Sequence, residues 1–135
     1  MMSFEDFVKS GSVGVDLNIA IGQIQSTLPG ATVHWIDAAE KSYGVFFQGI
    51  EILFWGGVLY SVQFEIANME KLQIGQYTID ATTTCSAFKQ MLDEMGLFFS
   101  EREYHGQKVL ALQSGVKLYF DGSSLCFLTA MKTYT

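Results

Sequence analysis

Residues 49–66, "GIEILFWGGVLYSVQFEI", and residues 115–132, "GVKLYFDGSSLCFLTAMK", share one gapless spacing of glycines and apolar residues. Gly49 aligns with Gly115, Ile52 with Leu118, Phe54 with Phe120, Gly56 with Gly122 and Leu59 with Leu125. Period-two alternation on both sides of a glycine corner is the pattern of a β-hairpin. A hairpin built twice in a chain of 135 residues points to an internal repeat.

The segments upstream extend the repeat. "NIAIGQIQSTLPG" places Ile21, Ile24 and Leu28 at helix spacing, and "TTCSAFKQMLDEMG" does the same with Phe88, Met91, Leu92 and Met95. Asn18 and Thr83 or Thr84 are suited to cap the helix starts, while Pro29-Gly30 and Gly96 end them. Between helix and hairpin each half has room for two more strands: "ATVHWID" and "YGVFFQ" in one, "LFFSEREY" and "QKVLALQ" in the other. A short opening helix, Ser3 to Ser10, has Ser3 as its cap and Phe4, Phe7 and Val8 as its apolar face. The expected fold is α+β, two tandem helix plus four-stranded antiparallel units forming one curved sheet with helices on one face. It makes a single domain, 1–135, of two repeats: 1–67 and 68–135.

The hairpin register decides which side chains face outwards. A three-residue loop, Gly56 to Val58, pairs Phe54 with Tyr60, Ile52 with Val62 and Ile50 with Phe64 on one apolar face. The same loop length, Gly122 to Ser124, pairs Phe120 with Cys126, Leu118 with Leu128 and Val116 with Ala130. The helices are expected to cover that face. The other face then presents Glu51, Leu53, Trp55 and Glu65 from the first copy and Tyr119, Asp121 and Phe127 from the second. Large aromatics among charges suit a protein-binding surface. Residues 67–80, with Ile74 and Tyr77, are the one stretch suited to a linker, and whether they cover this face is left open.

Composition narrows the function. Fourteen acidic against eight basic residues give a net charge of −6, which disfavours nucleic acid as a partner and favours a basic one. The imbalance sits in residues 1–66, with seven acids and two bases, against seven and six in residues 67–135. No apolar run approaches the roughly 20 residues a membrane helix needs, and the start "MMSFEDFVKS" carries acids where a secretory signal carries bases. The expected location is the cytoplasm.

Catalytic and metal patterns are thin. His34 and His105 have no second ligand at metal spacing, and Cys85 and Cys126 are read as reduced core residues. Neither "GQIQSTLPG" nor "WGGVLY" fits the strand, glycine loop, helix order that cradles phosphate. No metal, cofactor or catalytic residue is assigned, and the chain is read as no enzyme.

The tandem units resemble the β-lactamase-inhibitor-protein architecture, which implies joined sheets whose concave face grips a partner protein. The stretches "FEDFVKSG", "NIAIGQIQSTLPG" and "GIEILFWGGVLYSVQF" also resemble small bacterial immunity proteins encoded beside secreted toxins. The chain departs from the inhibitor family in lacking a secretory signal and a cysteine pair in each half, which turns the implied role towards the cytoplasm. The expected function is a non-catalytic inhibitor that occludes the active site of a cognate toxin, a basic domain such as a nuclease. Trp35, Trp55, Tyr119 and Phe127 are its expected anchors, with Asp37, Glu51, Glu65 and Asp121 steering encounter and Leu53 in the contact. The alternative is a small-molecule-binding module on the aromatic sheet face. Oligomeric state stays open.

Overall fold

The computed structural model describes residues 2–134. Helix α1 (Phe4–Ser10) starts on Ser3, whose Oγ accepts from the Asp6 N–H at 3.1 Å, and stops at Gly11 in the left-handed conformation. A 3-10 turn (Ile21–Gln23) runs into the one-turn helix α2 (Ile24–Thr27). Strands β1 (Thr32–Asp37), β2 (Ser42–Phe47), β3 (Ile50–Trp55) and β4 (Val58–Glu65) follow as an antiparallel meander. A small hairpin, β5 (Leu72–Ile74) and β6 (Tyr77–Ile79), precedes helix α3 (Cys85–Glu94), capped by Thr84. The chain ends in a second meander, β7 (Phe99–Tyr104), β8 (Gln107–Leu112), β9 (Lys117–Phe120) and β10 (Phe127–Thr133).

The two meanders join edge to edge in one sheet of order β1-β2-β3-β4-β10-β9-β8-β7. At the join, Ala130 lies opposite Phe64 and Lys132 opposite Val62. Buried side chains from every strand pair face one side: Val45, Ile52, Phe64, Ala130, Leu118 and Leu110. Helix α1 lies over the join, with Phe4 and Phe7 packing on Phe64 at 5.1 and 4.8 Å between ring centroids. Phe4 also reaches Phe127 at 6.3 Å, and α3 adds Phe88 against Phe120 and Phe127. Further ties bind the end of α1 to the second half. Ser114 Oγ donates to the Val8 carbonyl at 2.9 Å and the Tyr134 hydroxyl to the Gly11 carbonyl at 2.7 Å.

This architecture corrects the expected pair of helix-plus-sheet units. The described residues are mostly β, one eight-stranded antiparallel sheet and a separate two-stranded one with three short helices. The helix expected from Asn18 to Gly30 is reduced to a 3-10 turn and four α-helical residues. Its start has no side-chain cap, because Ala20 stands at the cap position; Asn18 lies two residues earlier, its N–H held in a turn by the Asp16 carboxylate at 2.9 Å. Gly22, the β-branched Ile21, Ile24 and Thr27, and Pro29 leave too little propensity for more than one turn. Helical cover is also not divided between the halves, since α1 of the first half packs across both. Residues 67–80 hold β5 and β6, whose Leu72, Ile74 and Ile79 enter the same core. Glu5 of α1 accepts from the Gly75 N–H, so this hairpin sits with the helices.

Both expected hairpin registers also change. Gly56 and Gly57 alone form the β3–β4 turn, each with positive φ, as a two-residue turn matched to strand twist requires. Trp55 therefore lies opposite Val58 and Phe54 opposite Leu59, and a bulge at Tyr60 then restores Ile52 opposite Val62. The β9–β10 connection is a longer loop, Asp121 to Cys126, after which Phe127 lies opposite Phe120 and Ala130 opposite Leu118. Cys126 thus stands in the loop, half-buried, and Phe127 takes the core place expected for it. Gly122, aligned with Gly56 in sequence, serves a different need: a Cβ there would collide with the Gly106 carbonyl of the neighbouring turn. No helix among the described residues is long and apolar enough to cross a membrane.

The Asp121 carboxylate organises that loop. It accepts from the Ser124 N–H at 3.0 Å and from the Ser123 hydroxyl and N–H at 2.7 and 2.8 Å, which pull its pKa down to about 2. An unfolded aspartate titrates near about 3.9, so the folded value is depressed. The stabilisation is complete above that value and fades as pH falls towards about 2. Asp121→Ala should lower the urea midpoint at neutral pH, and the gap to the parent should close across that acid window. A gap independent of pH would refute this role.

Candidate docking surface

All three helices and the β5–β6 hairpin lie on one side of the sheet, and alternation turns the intervening residues to the other. One row crosses all eight strands: Thr32, Phe46, Glu51, Gln63, Met131, Lys117, Ala111 and Ser100. A second runs Glu65, Thr129, Tyr119, Val109 and Arg102. A third runs His34, Gly44, Leu53, Ser61 and Thr133. Carboxylates stand on the first meander and cations on the second. Glu51 and Lys117 are three strands apart, roughly 14 Å at the usual strand spacing.

At one end of the sheet the β1–β2 and β3–β4 turns are locked together. The Gly57 N–H donates to the Lys41 carbonyl at 2.8 Å and the Gly56 N–H to Ser42 Oγ at 3.3 Å. Around these turns stand five large apolar side chains in water: Trp35 (54% exposed), Ile36 (55%), Trp55 (57%), Val58 (63%) and Tyr60 (41%). Trp35 packs on Tyr43 at 5.4 Å, and Tyr43 stacks on Phe54 at 4.8 Å with the rings 13° from parallel. The exposed indole is therefore backed by a rigid aromatic column running into the core. A cleft of about 510 Å³ opens beside it, lined by Trp35, Tyr43, Lys41, Ile21 and the two turn glycines. Burial in this column pushes the Tyr43 phenol pKa up.

The expected site residues separate into several places. Glu51, Leu53, Glu65 and Tyr119 share the uncovered face, all half-buried among their neighbours. Glu65 accepts from Asn68 Nδ2 at 3.0 Å and from the Gln63 amide. Trp55 stands at the end of that face. Trp35 lies opposite Tyr43 and so belongs to the helix side, where the one-turn α2 leaves it exposed. Asp37 sits at the end of β1, accepting from the Glu40 N–H at 3.2 Å. Asp121 is committed to its loop. Phe127 is 1% exposed among Phe4, Phe88 and Phe120 and offers no contact surface. Its burial follows from the longer second loop, which shifts it onto the core face.

Ile36, Val58 and Tyr60 complete the exposed end and were not expected there. The signal for Ile36 is the run Trp35-Ile36 at the end of an edge strand, where alternation cannot bury both. His34 and His105 are exposed at opposite edges of the sheet, and Cys85 is buried with its thiol pKa raised by desolvation. Among the described residues no cluster of three or more His, Cys, Asp or Glu is placed to hold a metal ion. The arrangement favours contact: rigid aromatics held in water, with Asp37, Glu40 and Glu51 on the adjoining strands and turn. No family model, curated protein or solved structure matches the chain.

Burial separates the two aromatic residues that the sequence placed on one surface. Phe127→Ala should cost about 3–5 kcal/mol of stability, as removal of a fully packed aromatic does. Trp55→Ala should stay within about 0.5 kcal/mol of the parent in the same urea titration. Comparable losses for both would place Trp55 in the core.

Proposed function

We propose that this chain is a non-catalytic protein inhibitor, a cytoplasmic immunity protein that neutralises a cognate bacterial toxin by covering its active site. The observation that carries the reading is the exposed aromatic end of the sheet, where Trp35, Ile36, Trp55, Val58 and Tyr60 are held in water by interlocked turns. Exposing this much large apolar surface costs solubility unless a partner covers it. Tryptophan and tyrosine are the residues in which interface energy concentrates. Asp37 and Glu40 lie next to these anchors and Glu51 further along β3, in the half of the chain with seven acids and two bases. A partner that fits is therefore a basic domain such as a nuclease, drawn in by charge and held by the aromatics. Inhibition by occlusion needs no reacting group on this chain.

The test is co-production of the chain with the toxin domain encoded beside its gene. The parent should protect the cell, and the pair should co-elute. Trp35→Ala combined with Trp55→Ala should weaken binding by about 10²- to 10³-fold, as loss of two interface anchors does, with the melting temperature unchanged. Asp37→Lys with Glu51→Lys should slow association chiefly at low salt. Full protection by the tryptophan double variant would overturn the reading.

A further inference from the structure

The second meander carries a separate site on the uncovered face. Val109 of β8 is only 3% exposed although no helix or loop lies over it. Its shelter comes from side chains of the neighbouring strands. Tyr119 of β9 stands directly opposite on one flank and Arg102 of β7 on the other. Tyr104, two residues on from Arg102, and Lys117, two residues before Tyr119, close the ends. Together with Glu103 they line a cavity of about 220 Å³ with Val109 as its floor.

The charge of this cavity is net positive, Arg102 and Lys117 against the single carboxylate of Glu103. The ion pairs of this region, Glu101 with Lys108 at 3.0 Å and with Lys89 of α3 at 3.1 Å, are all on the helix side. Alternation along β7 turns Glu101 and Glu103 there, opposite Leu110 and Lys108, although Glu103 also lines the cavity, and leaves Arg102 on the open face. Among the described residues neither Arg102 nor Lys117 has a carboxylate within 4.0 Å. Two cations without an ion-pair partner, one carboxylate, two phenols and an aliphatic floor thus line a hollow that no other segment enters. Burial, and then the neighbouring Tyr104, push the Tyr119 pKa up, so its hydroxyl remains a neutral donor.

We propose that this cavity is a binding site for a carboxylate carried on a flat apolar body, an aromatic carboxylate or a C-terminal aromatic residue. The guanidinium of Arg102 offers the planar pair of donors that a carboxylate accepts, Lys117 adds a second charge, and Tyr119 adds a hydroxyl. The Tyr104 and Tyr119 rings and Val109 take the apolar body, which excludes water from the ion contact and strengthens it. The site lies on the opposite half of the sheet from the aromatic end and does not depend on the inhibitor reading.

The experiment is amide-resolved NMR titration of the intact protein with phenylacetate, matched against benzyl alcohol and benzylamine. Phenylacetate should shift the amides of Arg102, Val109 and Tyr119 saturably, while the neutral and cationic analogues should bind at least about tenfold more weakly, the difference one charge-assisted contact makes. Arg102→Gln and Lys117→Gln, both at exposed positions, should each weaken phenylacetate by a similar factor and leave the spectrum otherwise unchanged. A peptide ending in Phe with a free carboxylate, set beside its amide, distinguishes the two sources. Tighter binding of the free-acid peptide than of phenylacetate assigns the site to a protein C-terminus; the reverse order assigns it to a small molecule. Equal shifts with phenylacetate and benzyl alcohol, binding unchanged in both Gln variants, or no binding at about 10 mM, below which even a weak site registers, would overturn the proposal. Protection against a toxin should be unaffected by Arg102→Gln, so the two readings fail separately.

Discussion

Phe4, Phe7, Phe64 and Phe127 meet over the line where β4 pairs with β10, and the rest of the molecule depends on that packing. Each meander alone is a four-stranded sheet with one apolar face and too little helix to cover it. Pairing along β4 and β10 doubles the sheet and lets α1, seven residues long, serve both halves at once. The hydrogen bonds from Ser114 to Val8 and from Tyr134 to Gly11 hold the helix end to the second half. Apolar burial from both meanders therefore accumulates in one core, which is how a chain with so little helix sustains so wide a sheet.

Because every helix and the β5–β6 hairpin is drawn to that core, the opposite face is left to side chains alone. It is not uniform. The first meander ends in exposed tryptophans among carboxylates, whereas the second encloses a small cationic hollow. The halves thus share a strand plan and differ in surface chemistry, and the proposals made for them rest on different residues.

Much of the strand layout was legible from period-two alternation, and the caps at Ser3 and Thr84 from residue type alone. What was not legible came from competition between local and tertiary terms. The apolar spacing of Ile21, Ile24 and Leu28 is helical, but a glycine, β-branched residues and an uncapped start hold the helix to one turn. The aligned glycines Gly56 and Gly122 look equivalent, yet one supplies a positive φ and the other makes room for a neighbouring carbonyl. Assuming one loop length for both hairpins misplaced Phe127. Of the expected contact residues, those of β3 and β4 reached the open face because the bulge at Tyr60 restored the register beyond it. Trp35 could not be placed without knowing that Val33 pairs with Val45.

The position of β10 sets an order on the making of this protein. The last strand in the chain is one of the two at the middle of the sheet, beside β4. While the chain emerges from the ribosome, β1 to β4 can assemble, but β4 then presents an open edge of unpaired backbone groups until β10 arrives. An exposed edge of that kind is where nascent chains join wrongly to one another. β10 begins only at Phe127, long after β4 ends at Glu65, so the polar and charged Gln63 and Glu65 of β4's open face must blunt that edge meanwhile.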